Sequence, residues 1–226
     1  MYWDSTIIIL IPAIIFSIIA QIMVKSAFSK YSKVRNSRGL TGADAAREIL
    51  DRNGLTNVRI EHISGSLTDH YDPKANVIRL SDDVYGSATV AAVGVAAHEA
   101  GHAVQYAEGY YPIKIRNAII PVTRFGSSLS TPLVILGLAL SSDFLITAGI
   151  LLFCAVVLFQ AITLPVEFNA SGRALKTLRS SHFLEDDEMK GARSVLTAAA
   201  MTYVAAMLSA LLSLVRLLVI SGRRRR

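Results

Sequence analysis

The stretch that decides the fold runs from Ser127 to Leu164, SSLSTPLVILGLALSSDFLITAGILLFCAVVLFQAITL, and carries a single charge, Asp143. As one helix it would be about 57 Å long, nearly twice the roughly 30 Å hydrocarbon core of a bilayer. One crossing therefore leaves half of it unaccounted for. Ser141-Ser142-Asp143 divides it into Leu129–Leu140 and Phe144–Leu164, which predicts a tight helical hairpin. The second arm is a clean span. The first is long enough only if it begins near Ile119 and takes Arg124 close to the interface, where a long cationic side chain can snorkel.

Two further windows are equally poor in charge. Residues 1–24 contain Asp4 alone, and 195–215 contain no charge. Within the first, Thr6–Val24 (TIIILIPAIIFSIIAQIMV) reaches across a bilayer, with Pro12 expected to kink it. A cleaved signal peptide would want a basic start and a small-residue cleavage site. This segment opens on Met1-Tyr2-Trp3-Asp4 and closes on Gln21-Ile22-Met23, so it reads as an anchor. The last window, continuing to Ile220, gives a fourth span whose Ala and Ser content favours close helix packing. These windows explain why the chain is 52% hydrophobic and only 18% charged, with mean hydropathy +0.45. They exclude a secreted disulfide scaffold, a disordered tail and a simple soluble enzyme. Cys154 is the only cysteine, so no intrachain disulfide can form. After the first span come Lys25, Lys30, Lys33, Arg35 and Arg38 without an acidic residue among them, which marks that side as cytoplasmic. Four crossings then put Arg223–Arg226 outside, against the same bias.

The polar block between the first two spans alternates helix and strand signals. Thr41-Gly42-Ala43-Asp44 has capping-box spacing and opens an amphipathic helix to about Arg52, ended by Asn53-Gly54. Asn57–Ile63 and Asn76–Ser81 alternate as strands, and Asp72-Pro73 marks a turn between them. Ser87 is positioned to cap a long helix over about residues 88–107.

That helix contains His98-Glu99-Ala100-Gly101-His102. Positions i and i+4 lie on one face, so both imidazoles can meet one Zn²⁺ ion while Glu99 lies beside them as a general base. Two histidines need a further ligand, on the same side of the membrane. The hairpin returns the chain to that side directly before Glu167, which makes Glu167 the first choice. His182 is the next, with Glu108 and Glu185 as further rivals. Glu108 lies six residues past His102, a spacing that makes convergence on one ion difficult.

The runs AAHEAGHAVQ, YYPIKIRNAIIPVTRFGSS and LPVEFNASGRAL closely resemble the bacterial membrane zinc metallopeptidases of the YugP type. The resemblance extends from about Thr68 to Arg173, with a matching N-terminal anchor. It implies a neutral zinc peptidase of the gluzincin kind, with His98, His102 and Glu167 as ligands and Glu99 as base. Many gluzincins place an Asp four residues after the ligand Glu to orient a ligand histidine; here that position is Ser171, and Asn169 is the expected substitute. The resemblance further suggests that substrate pairs with an exposed sheet edge, with Asn76, Val77, Ile78, Arg79 and Leu80 as the candidate strand. It also suggests Arg173 or His70 as oxyanion donors.

The resulting expectation is an α-helical membrane protein of about four transmembrane helices with a small α+β zincin-like domain. Its parts are an anchor (1–24), the zincin-like domain (25–118), a transmembrane hairpin (119–164), a segment carrying the third ligand (165–194), a C-terminal span (195–220) and a basic tail (221–226). It is expected in the cell membrane, with its site on the cytoplasmic side. The expected activity is zinc-dependent hydrolysis of membrane-associated or misfolded polypeptides; the alternative is an inactive membrane scaffold around a structural metal. The spans carry almost no charge, which disfavours an ion pathway. The net charge of +6 follows from membrane-flanking basic residues and implies no nucleic-acid partner. No oligomeric state is read from the sequence.

Overall fold

The structure, a computed structural model, describes residues 5–224. Met1–Asp4 of the expected anchor, and Arg225 and Arg226 of the expected basic tail, lie outside the described residues. A 3-10 stretch Ser5–Leu10 leads into α1 (Ile11–Tyr31). There follow α2 (Gly42–Arg52), β1 (Arg59–His62), β2 (His70–Asp72), β3 (Val77–Leu80) and α3 (Val90–Ala107). Three long helices complete the chain: α4 (Tyr111–Ala139), α5 (Asp143–Ser180) and α6 (Asp186–Arg224). Four helical stretches, Ser5–Tyr31, Tyr111–Ala139, Asp143–Ser180 and Asp186–Gly222, are long and apolar enough to cross a membrane. The protein is a multi-pass helical membrane protein with a small α+β part. The described residues form two compact units, 5–20, 112–165 and 202–224 in one, Gln21–Tyr111 and Val166–Met201 in the other.

In the first unit the central hairpin turns where its polar break lies. Helix α4 ends at Ala139 and α5 begins at Asp143. Ser141 takes a left-handed φ of 57°, and the Ser142 N–H closes the turn on Gly137 O at 2.9 Å. The arms touch through small residues. A Cβ added at Gly149 would lie 2.7 Å from Ser130 O, so glycine there permits backbone approach that lipid-embedded helices use in place of a hydrophobic drive. Pro12 sits in the first turn of α1, where its missing N–H has no helical partner to lose. It therefore marks the change from 3-10 to α rather than a mid-span kink.

The second unit is built around α3. Val90, Ala91, Ala92, Val93, Ala96, Ala97 and Ala100 are all 0% exposed, as expected of a helix apolar on every side. Its cap is Thr89, whose hydroxyl accepts from Ala92 N, and not Ser87. Helix α2 has the expected reciprocal box between Thr41 and Asp44. The sheet has the order β1-β3-β2, with β1 parallel and β2 antiparallel to β3. Val77 to Leu80 therefore form the central strand, paired on both sides. This corrects the expectation that Asn76–Leu80 offers a free edge, because the outer positions belong to β1 and β2. The β2–β3 turn is held by Asp72, whose carboxylate accepts from the N–H groups of Lys74 and Ala75 at 2.9 and 3.2 Å. Those bonds and the Arg79 guanidinium hold the Asp72 carboxyl below its ordinary value.

Helix α3 meets α5 beside His102. A Cβ on Gly101 would sit 2.8 Å from Ala170 O. Helix α5 passes through Pro165 without ending, so Glu167 stands on the same helix as the apolar run before it.

Candidate metal centre

Helix α3 supplies His98 and His102 one turn apart, and α5 supplies Glu167 from the opposing face. Their donor atoms all lie within 4.8 Å of one another. His98 Nε2 is 3.3 Å and His102 Nε2 is 3.4 Å from the same oxygen, Glu167 Oε2. The side chains are 15%, 12% and 2% exposed respectively.

These separations discriminate between two kinds of contact. A charge-assisted N–H···O⁻ bond closes to about 2.7–2.9 Å. Ligands about 2.0–2.1 Å from a tetrahedral Zn²⁺ stand about 3.3–3.4 Å from one another. The observed pair of distances matches the edges of a tetrahedron. The donor types fit as well, being two imidazole nitrogens and one carboxylate oxygen.

Each imidazole is held from behind by its other nitrogen. Ser171 Oγ lies 3.2 Å from His98 Nδ1, and Gln105 Oε1 lies 3.0 Å from His102 Nδ1. With Nδ1 donating, Nε2 is left as the bare donor atom facing Glu167. Ser171, the residue standing where many relatives of this motif have Asp, is thus in contact with a ligand-candidate histidine. Asn169, expected in that role, does not touch either histidine directly. Its Oδ1 accepts from Gln105 Nε2 at 2.9 Å and from Arg173 Nε at 2.7 Å. Gln105 is fully buried and also donates to Val166 O at 2.8 Å. Sequence reasoning missed it; the signal was its position, three residues after His102 and so one turn along the same face.

Glu99 is 8% exposed, and its charge acts on His102. Burial alone would depress the His102 imidazole; the Glu167 carboxylate, joined by Glu99, outweighs that and holds the ring above its ordinary value. Nearby Asp69 accepts from Ser81 N and Oγ at 2.7 and 3.0 Å. Its burial raises its pKa despite those bonds.

The remaining candidates are placed elsewhere. Arg173 is engaged by Asn169 and, through Nη1, by Glu108 Oε2 at 2.7 Å. That ion pair also occupies Glu108, one of the rival ligands. His70 lies on β2 with Nδ1 2.9 Å from Thr68 O and Nε2 3.4 Å from Arg79 Nη1, so its ring is committed to its own strand pair. His182, at φ 51° in the turn after α5, is outside the three-residue cluster.

The buried two-histidine, one-carboxylate cluster of this multi-pass membrane protein could hold a metal ion, and comparison with known proteins gives the family. A family model described as "Putative neutral zinc metallopeptidase" matches residues 6–222, and the chain belongs to that family. It is 50% identical over 210 residues to a Bacillus subtilis (strain 168) protein described as "Putative membrane protease YugP", covering 93% of each chain. No solved structure matches the chain.

Proposed function

We propose that the protein is an integral-membrane zinc endopeptidase of the gluzincin type, with His98, His102 and Glu167 holding the ion and Glu99 as general base. The observation that carries this reading is the convergence of two imidazole nitrogens, at 3.3 and 3.4 Å, on one oxygen of the buried Glu167. Among the described residues the cluster offers three ligands, the number of a catalytic site, whereas a structural site is closed by four. This favours an enzyme over a scaffold with a structural metal.

Zinc bound there would supply Lewis-acid polarisation of the scissile carbonyl and an acidified water. Glu99 accepts the proton of the attacking water and returns it to the leaving amine nitrogen. Ser171 and Gln105 keep the imidazoles turned so that Nε2 faces the site. The low exposure of Glu167 and Glu99 limits bulk water, which strengthens each of these electrostatic contacts. Substrate pairing shifts from β3 to β2: β2 is an edge of the sheet and packs on α3, so an extended peptide added alongside His70–Asp72 would run next to the zinc helix. The substrates are membrane-associated or misfolded polypeptides, and the Lys/Arg-rich stretch after α1 supports a cytoplasmic site.

The test is Glu99→Gln in the purified full chain, assayed with unfolded protein substrates. Zinc is expected to stay bound while hydrolysis falls by about three orders of magnitude or more. Hydrolysis at the wild-type rate removes Glu99 from the mechanism.

A further inference from the structure

The hydrogen bonds behind His102 have a direction, and both ends of the chain of contacts impose it. Val166 O is a carbonyl and can only accept, so the group facing it, Gln105 Nε2, is the amide NH₂. Gln105 Oε1 is therefore the atom turned to His102 Nδ1 at 3.0 Å. At the far end, the Arg173 guanidinium can only donate, so the Asn169 atom 2.7 Å from Arg173 Nε is the carbonyl oxygen. That same oxygen accepts from Gln105 Nε2 at 2.9 Å. Glu108, 2.7 Å from Arg173 Nη1, keeps the guanidinium in place. Neither amide can flip without setting donor against donor or acceptor against acceptor, and Gln105, at 0% exposure, is closed to bulk solvent.

We propose that Gln105, Asn169 and Arg173 form a polarised relay of positioning residues that fixes the His102 tautomer with Nδ1 protonated and Nε2 bare. The inference rests on the metal reading above for its purpose, but not for its geometry. The Gln105 amide also ties His102 to the backbone carbonyl that directly precedes Glu167. One side chain thereby sets both the tautomer of one ligand candidate and its registry with another across the α3–α5 contact. Arg173 acts through Asn169 and Gln105, in place of the oxyanion role expected from the sequence.

Isosteric substitutions separate polarity from packing. Asn169→Asp keeps an acceptor facing both donors, so zinc affinity, measured by chelator competition on the full chain in detergent, should stay within about threefold of wild type. Asn169→Leu and Gln105→Met remove the polar link and should raise the zinc dissociation constant about 10–100-fold. Gln105→Glu sets a carboxylate oxygen against Val166 O and Asn169 Oδ1, and should weaken zinc binding to a similar extent. A purely structural role predicts no such split between Asn169→Asp and Asn169→Leu; equal loss in both overturns the relay. Wild-type zinc affinity in Gln105→Met overturns it as well. The tautomer is read without metal, from histidine ring ¹⁵N shifts of the zinc-free chain under alkaline conditions, where imidazole is neutral. Nδ1–H in wild type and a tautomer mixture in Gln105→Met support the relay; a mixture in wild type contradicts it. A wild-type chain with the fixed tautomer but no zinc affinity sinks the metal reading and leaves the relay standing.

Discussion

At the scale of single residues, the chemistry of the candidate site was legible where it is local and hidden where it is not. His98, Glu99 and His102 declare themselves by helical spacing, because i and i+4 share a face. Glu167 required the hairpin argument, and the structure brings it against both histidines. Ser171 and Gln105 are ordinary polar residues whose roles arise from which helix faces which. For Gln105 the spacing from His102 places it on the same helix face, but its partners Val166 and Asn169 lie on another helix and cannot be read from that spacing. Ser171→Ala removes the 3.2 Å partner of His98 Nδ1 and leaves a buried donor unsatisfied. Zinc affinity should fall by about tenfold, and the chelator competition that measures it should show an unchanged affinity if Ser171 is only a neighbour.

At the scale of elements, Thr41–Asp44, the 141–143 break and the α2 boundaries carry strong local signals, and the structure follows them. The sheet does not read so directly. β2 is three residues long, too short for alternation to register, and the parallel pairing of β1 with β3 spans a long sequence separation. Strand order was therefore invisible, and β3, with Val77, Ile78 and Leu80 at 0% exposure, reads as an edge only until its neighbours are known. The α3–α5 contact is the element-level feature on which the site depends. Gly101→Ala places a methyl 2.8 Å from Ala170 O, and neither backbone can yield locally. The expected cost is about 1–3 kcal/mol, seen as a lower thermal unfolding midpoint together with weaker zinc binding. Gly172→Ala on the same α5 meets nothing within 4 Å and should be neutral or stabilising by up to about 1 kcal/mol. Equal behaviour of the two variants would show that the close approach does not matter.

At the scale of the whole molecule, the charge-poor windows serve more than anchoring. Helix α5 continues unbroken from its apolar run through Pro165 to Ser180, so Glu167 follows Leu164 by about 4.5 Å of helical rise. The apolar run and the ligand candidate thus lie on one continuous helix. The number of crossings was readable because apolar length is a composition property. The continuity of α5 was not, because the apolar run ends at Leu164 and composition does not mark how far the helix continues beyond it.

The central claim is that the two α3 histidines and the α5 carboxylate hold one zinc ion. It is tested most directly by metal analysis of the purified full chain beside Glu167→Ala, with Glu167→Gln as a variant that preserves side-chain volume. One zinc per wild-type chain is expected, with zinc at background level in both variants and the helical content of each unchanged. Undiminished zinc in Glu167→Ala would contradict it.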